Sequence, residues 1–304
     1  MILQSTIIAM RSPELTSFFK IFPFFASETF YITIIALGYW LASNPRIFWK
    51  LGFLVPFSTM LNVILKNLFL CERPDISLHL VPIVDNSSGF PSGDVHVAAV
   101  FWGMLLSNFY SRSLRFFGVA IIVGIMLSRV YLGVHTVDQV FGGLFFGVAT
   151  VFVAENRYGR YGEKIFDSWQ NGKTSTYWLI YALICLAYIM TTKAIQPFML
   201  SISGVLLGYG LAALYVKQYM LSGIRGNFLS VVMGIVSLWF INWVFPKVPF
   251  EKVIWADGIF IVKYTLVALT IFAFVPLLLL KSKIFSRSIN PSQDRDFGRN
   301  SDTS

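Results

Sequence analysis

The chain has 304 residues, of which 56% are hydrophobic and 13% charged, with a formal net charge of +9. Soluble domains carry about 25% charged residues, so this composition excludes an ordinary soluble globule and places the chain in a bilayer. The positive charge is not spread along a groove with interleaved aromatics, so no nucleic-acid partner is expected; the cations flank apolar segments instead.

In chain order, the first twenty-five residues, with Arg11, Lys20 and Pro23, read as a short helix lying at the membrane or dipping into it, without a small-residue cleavage site. Nine apolar stretches follow, each close to the length that crosses hydrocarbon as a helix. They are Ala26–Leu41, Ile47–Phe69, Val95–Tyr110, Leu114–Leu132, Val137–Ala154, Tyr177–Met190, Pro197–Val216, Leu229–Val244 and Ile259–Leu280. The predicted fold is therefore an all-α polytopic membrane helix bundle with about nine transmembrane helices. Four regions divide it: a core over 1–154, a charged cytoplasmic connection over 155–174, a four-helix membrane extension over 175–280, and a tail over 281–304 without apolar periodicity that is expected to be disordered.

Arg46, Lys50, Arg112, Arg115, Lys217, Arg225 and the cations of 157–173 fall on one side of these spans, and the tail joins them. The positive-inside rule makes that side cytoplasmic. The loops at 73–91 and 133–136 then face outward. Cys71 and Cys185 form neither a disulfide framework nor a metal pattern. In the extension, Asp257 and Lys263 read as anchors at the end of a span, and the glycines of "ISGVLLGYG" as close helix packing. Too few polar groups lie there for a transport path.

Ionisable residues inside a membrane are functional candidates by default. Here they gather at the outer ends of the second to fifth spans. In "KNLFLCERP", Lys66 and Arg73 stand seven residues apart, nearly two turns, and share a face if the helix continues that far. "GFPSGD" opens the third span with Ser92 and Gly93, where a serine either caps the helix or donates to an anion beside exposed backbone N–H groups. "SRVYLGVHTVDQ" places Arg129 at the end of the fourth span and His135 at the entry to the fifth. Asp138 and Gln139 follow at i+3 and i+4, and either can orient the imidazole through one ring nitrogen. Three cations to neutralise oxygens, donors at a helix start, and a nucleophilic imidazole form a kit for phosphoryl transfer that calls for no metal or organic cofactor.

These motifs resemble the type 2 phosphatidic acid phosphatase (PAP2) superfamily of membrane lipid phosphatases, whose pattern is K-x6-R-P, then P-S-G-H, then S-R-x5-H-x3-D. Lys66, Arg73 and Pro74 complete the first motif; Ser128, Arg129 and His135 begin the third; the likeness spans residues 8–154. The resemblance implies a phosphohistidine on His135 and a phosphate held by Lys66, Arg73, Ser92, Gly93 and Arg129. It also implies that Gln139 stands where an aspartate usually orients the histidine. Asp94 occupies the position of the leaving-group histidine. It serves as a modified general acid, or the leaving group needs little protonation, or the protein binds phosphorylated lipid without turnover. His96 and His79 are substitute donors, although His96 is rotated about 200° from the required face. The expected function is hydrolysis of a lipid phosphomonoester or diphosphate at the non-cytoplasmic leaflet. The alternatives are a lipid phosphotransferase and a non-catalytic phospholipid-binding pseudoenzyme. The expected partners are the phosphorylated lipid and surrounding membrane lipids, and the expected location is a bacterial inner membrane with the site facing the periplasm.

Overall fold

The computed structural model describes residues 6–7, 9–42, 44–82, 87–155, 161–170, 174–191, 197–222, 228–245 and 256–280. Among these the regular structure is helical throughout. The helices are α1 Pro13–Phe19, α2 Phe22–Phe25, α3 Glu28–Leu41, α4 Arg46–Phe69, α5 Gly93–Asn108, α6 Arg112–Tyr131, α7 Val137–Glu155 and α8 Tyr161–Gln170. They continue as α9 Ser175–Thr191, α10 Pro197–Ser222, α11 Phe228–Val244 and α12 Ala256–Leu269, which runs on through a π-helical turn, Thr270–Phe274.

By length and composition, four described helical stretches can cross a membrane: Arg46–Phe69, Arg112–Tyr131, Val137–Glu155 and Gly258–Leu280. A fifth is available if the pair Pro13–Phe25 and Glu28–Leu41, bent by 48°, counts as one span. The expected total of nine is thus not confirmed among the described residues. The sixth and eighth stretches form apolar helices of 17 residues each, the seventh forms the 26-residue α10, whose described apolar part is Met199–Ala213, and α5, 16 residues long, is mostly buried among its neighbours. The amino-terminal segment is not one continuous helix: Ser12 opens α1 by accepting from Leu15 N–H, α2 follows after a turn at Lys20 and Ile21, and Ser27 opens α3 by accepting from Phe30 N–H.

Three packing features bring the starts of α5 and α7 and the turn at Gly133 together. Gly143 and Gly147 of α7 face α5 so closely that a Cβ would lie 2.5 Å from the Ser92 carbonyl and 2.5 Å from the Ala99 Cβ. The small-residue pair therefore brings the start of α7 onto the start of α5. The turn between α6 and α7 needs Gly133, which has φ +77° and sits under the Leu78 carbonyl. Arg11 then ties this region together, donating to the carbonyls of Leu78 and Tyr131 at 2.8 Å each.

At the opposite end, Arg46 pairs with Asp167, and Lys50 with Glu155 at 3.0 Å. Basic residues assigned to one side by charge counting thus meet partners from the charged connection. That connection is not merely a linker: α8 buries Phe166 and Trp169 against Phe53. The extension packs directly on α4, with Trp49 stacked on Tyr209 at 3.9 Å. Gly204 and Gly208 of "ISGVLLGYG" meet the backbone of α12 at Ile261 and Thr265, as close helix packing requires. The predicted disordered tail, 281–304, lies outside the described residues, and nothing is described of the Asp257 side chain.

Candidate active site

The C-terminal ends of α4 and α6 and the N-terminal ends of α5 and α7 enclose one end of a cavity of about 440 Å³, lined there by Asn62, Lys66, Arg73, Gly93, Asp94, Arg129 and His135. Lys66 and Arg73 do not share a helical face. Helix α4 stops at Phe69, Leu70 turns left-handed at φ 51°, and Arg73 lies in the segment that doubles back. Their convergence comes from Ser87. The Lys66 ammonium donates to Ser87 Oγ at 2.7 Å, Arg73 Nη2 to the same oxygen at 3.1 Å, and Arg73 Nε to the Ser87 carbonyl at 2.9 Å.

His135, 3% exposed, is held by its backbone N–H on the Arg129 carbonyl at 3.3 Å. Its Nδ1 lies 3.0 Å from Gln139 Oε1 and its Nε2 lies 3.3 Å from Arg73 Nη1. The Gln139 amide is oriented from both ends, since Oε1 accepts from Thr136 N–H at 3.1 Å and Nε2 donates to the Glu72 carbonyl at 2.7 Å. That oxygen can only accept, so Nδ1 carries the imidazole proton and Nε2 presents its lone pair toward Arg73 and the cavity. Gly89 makes room for this amide: a Cβ there would stand 2.3 Å from Gln139 Nε2. Burial first, then the charges of Arg73 and Lys66, hold the imidazole well below its ordinary pKa of 6.5; the Gln139 hydrogen bond opposes them. A neutral imidazole with an unprotonated Nε2 is the nucleophilic form.

Of the two candidate orienting residues, Gln139 makes the contact, while Asp138 is exposed on the first turn of α7. Asp94, expected to stand near a leaving group, forms an ion pair with Arg129, Oδ2 to Nε 2.7 Å. Ser92 does not cap α5 through its side chain; its Oγ is buried, makes no hydrogen bond, and does not line the cavity. Its neighbour Gly93 does line it, with Asn62 Oδ1 only 3.1 Å from where a Cβ would be. His96 points away, fully buried, with Nδ1 3.3 Å from Asn62 Nδ2. His79 places Nε2 3.1 Å from the Pro74 carbonyl and lines a separate outer hollow beside Arg73.

Two participants escaped the sequence reading. Ser87 joins both cations, and Asn62 braces the α5 entry by donating to the Pro91 carbonyl at 3.2 Å. The signal for Asn62 was present, one turn before Lys66 on α4 and polar within an apolar span. Ser87 had none beyond its place in a turn-rich loop.

Residues 47–163 match the family model of the PAP2 superfamily. The PAP2 resemblance is thereby shown over this stretch, which begins later than the expected 8–154 and runs past its end. The matched PAP2 segment contains every site residue named above and ends within α8. Among solved structures, the chain is similar to a crystal structure described as the first transmembrane PAP2 type phosphatidylglycerolphosphate phosphatase from Bacillus subtilis. The identity is 24%, the match covers 52% of this chain and 83% of that one, and the TM-score is 0.45. No curated protein matches the sequence.

Proposed function

We propose that this protein is a membrane lipid phosphatase that hydrolyses a phosphorylated lipid at the non-cytoplasmic leaflet through a phosphohistidine on His135. The observation that carries the reading is the imidazole itself: Nδ1 faces the Gln139 oxygen, and Nε2 opens beside Arg73 in a cavity lined also by Lys66 and Arg129. Phosphoryl transfer asks the protein mainly for positioning and charge stabilisation, which three cations and the start of α5 supply. His135 Nε2 attacks phosphorus, the bond from phosphorus to the leaving oxygen breaks, and water then cleaves the phosphohistidine to inorganic phosphate. The family match of residues 47–163 supports the reaction class. The distribution of cations supports a multi-pass protein with this site facing outward, on the periplasmic face if the membrane is a bacterial inner membrane.

The pairing of Asp94 with Arg129 bears on the leaving group. A carboxylate engaged by a guanidinium accepts hydrogen bonds and donates no proton. This favours a lipid diphosphate, whose departing group is itself a phosphate and needs little protonation, over a phosphomonoester, whose alkoxide leaves poorly without an acid. Release of phosphate from a polyprenyl diphosphate and from phosphatidic acid tests both levels. Turnover that disappears in His135→Ala supports the enzyme, and faster turnover of the diphosphate, with Asp94→His improving the monoester, supports the leaving-group assignment. If the wild type is silent on both while Asp94→His gains activity, the protein is a binding relative rather than a catalyst.

A further inference from the structure

We infer that the extension is part of the substrate site: α10 and α12, together with α3 and α4, wall a channel that receives a single long hydrocarbon tail of the lipid whose phosphate sits at His135. The inference rests on the phosphate-site reading above and adds the class of tail and the elements that recognise it.

The cavity does not end at the phosphate site. On α4 it is lined by Gly52, Val55, Thr59, Asn62 and Lys66, spaced by three and four residues, so one stripe of one helix lines its whole length. Fourteen residues from Lys66 to Gly52 correspond to about 21 Å of helix. This exceeds the depth of one leaflet, about 15 Å of a ~30 Å hydrocarbon core. Facing this stripe are Ile32 of α3, Val205 of α10, and Val267 and Ile271 of α12 and its π-helical turn. The floor is Phe272, whose ring fills the space over Gly52, 2.2 Å from where a Cβ would be. Phe272 lies in the π-helical turn, a departure from α-geometry that occurs disproportionately at functional sites. Three polar side chains also stand in this wall, Glu28, Ser201 and Tyr264. What remains is an apolar tube opening at one end onto three cations. An amphiphile with an anionic head and one extended chain has that distribution of charge and apolar surface.

Binding tests this without requiring turnover. Thermal unfolding of the full-length protein in detergent is followed with inorganic phosphate and with hexadecyl phosphate, in the wild type, His135→Ala, Val205→Trp and Val55→Trp. Hexadecyl phosphate is expected to raise Tm beyond inorganic phosphate in both wild type and His135→Ala. Its affinity should fall at least tenfold in Val205→Trp and Val55→Trp, whose response to inorganic phosphate reports that the head site is still folded. The channel is refuted if hexadecyl phosphate stabilises no better than inorganic phosphate, or if both tryptophan variants retain wild-type affinity for it. Failure of the catalytic reading looks different: no phosphate is released from any lipid, while the tail-dependent stabilisation persists.

Discussion

At the scale of single residues, the proposed chemistry turns on how His135 is kept neutral and aimed. The imidazole is expected to be indispensable, with His135→Ala lowering phosphate release by at least about a thousandfold, measured as initial rate on a diphosphate substrate. Gln139→Leu removes the acceptor that selects the Nδ1–H tautomer and strands Thr136 N–H and the Glu72 carbonyl. A loss on the order of a hundredfold in kcat is expected, with a smaller change in KM, because the interaction positions the nucleophile rather than the substrate. The depressed pKa has two consequences. Activity should persist on the acid side of the ordinary histidine range, and Arg73→Gln, by removing a nearby cation, should move the acid limb of the rate profile upward. For stability, the unfolded chain protonates this histidine near pH 6.5 while the folded one resists it, so the unfolded state binds more protons below that point. Stability contributed by this group is therefore full above about pH 6.5 and declines on acidification. Tm followed from neutral pH to about pH 5 should fall more for the wild type than for His135→Gln.

At the scale of elements, the site depends on helix starts being pressed together. Gly143 and Gly147 let α7 lie against the backbone of α5, which puts Gln139 within reach of the loop that carries Ser87 and Gly89. Gly143→Leu would force its side chain into the Ser92 carbonyl. A destabilisation of about 1–3 kcal/mol is expected in thermal unfolding, accompanied by weaker phosphate binding because the two helix starts separate. The case of Arg73 shows the limits of helical arithmetic. Seven-residue spacing predicted a shared face with Lys66, yet α4 ends four residues earlier, and the two cations meet through Ser87. The spacing was informative; the periodicity assigned to it was not.

At the scale of the molecule, the extension and the PAP2 segment share one apolar interior. Trp49 of α4 stacks on Tyr209 of α10, Phe272 meets both rings, and Trp40 donates to the Ile271 carbonyl at 2.9 Å. Trp49→Ala should cost about 3 kcal/mol, measured by denaturant unfolding in detergent, and should loosen the extension before the outer site. At the end of α4 opposite Lys66, the Lys50 side chain is only 4% exposed where it meets Glu155. Glu155→Gln leaves the buried ammonium without its carboxylate, at a cost on the order of 3 kcal/mol in the same measurement.

Composition, apolar run lengths and three short motifs were sufficient to read an all-helical membrane protein with a phosphate-handling core, because such features are local and need no knowledge of neighbours. The same locality let the motifs single out Lys66, Arg73, Arg129 and His135, which line one cavity, and Gln139, which meets His135. Local pattern did not settle the partner of Asp94, the choice of Gln139 over Asp138, or the part played by Ser87 and Asn62. Each of these is a contact between segments distant in sequence. The span count stays unconfirmed among the described residues for a related reason: an apolar stretch such as α5 buries its residues against other helices, and hydropathy alone does not distinguish helix-facing from lipid-facing surface. Only the tertiary structure joined the motif-poor second half to the cavity, since Val205, Val267 and Phe272 look like ordinary core residues until α10 and α12 are laid against the cavity-lining stripe of α4.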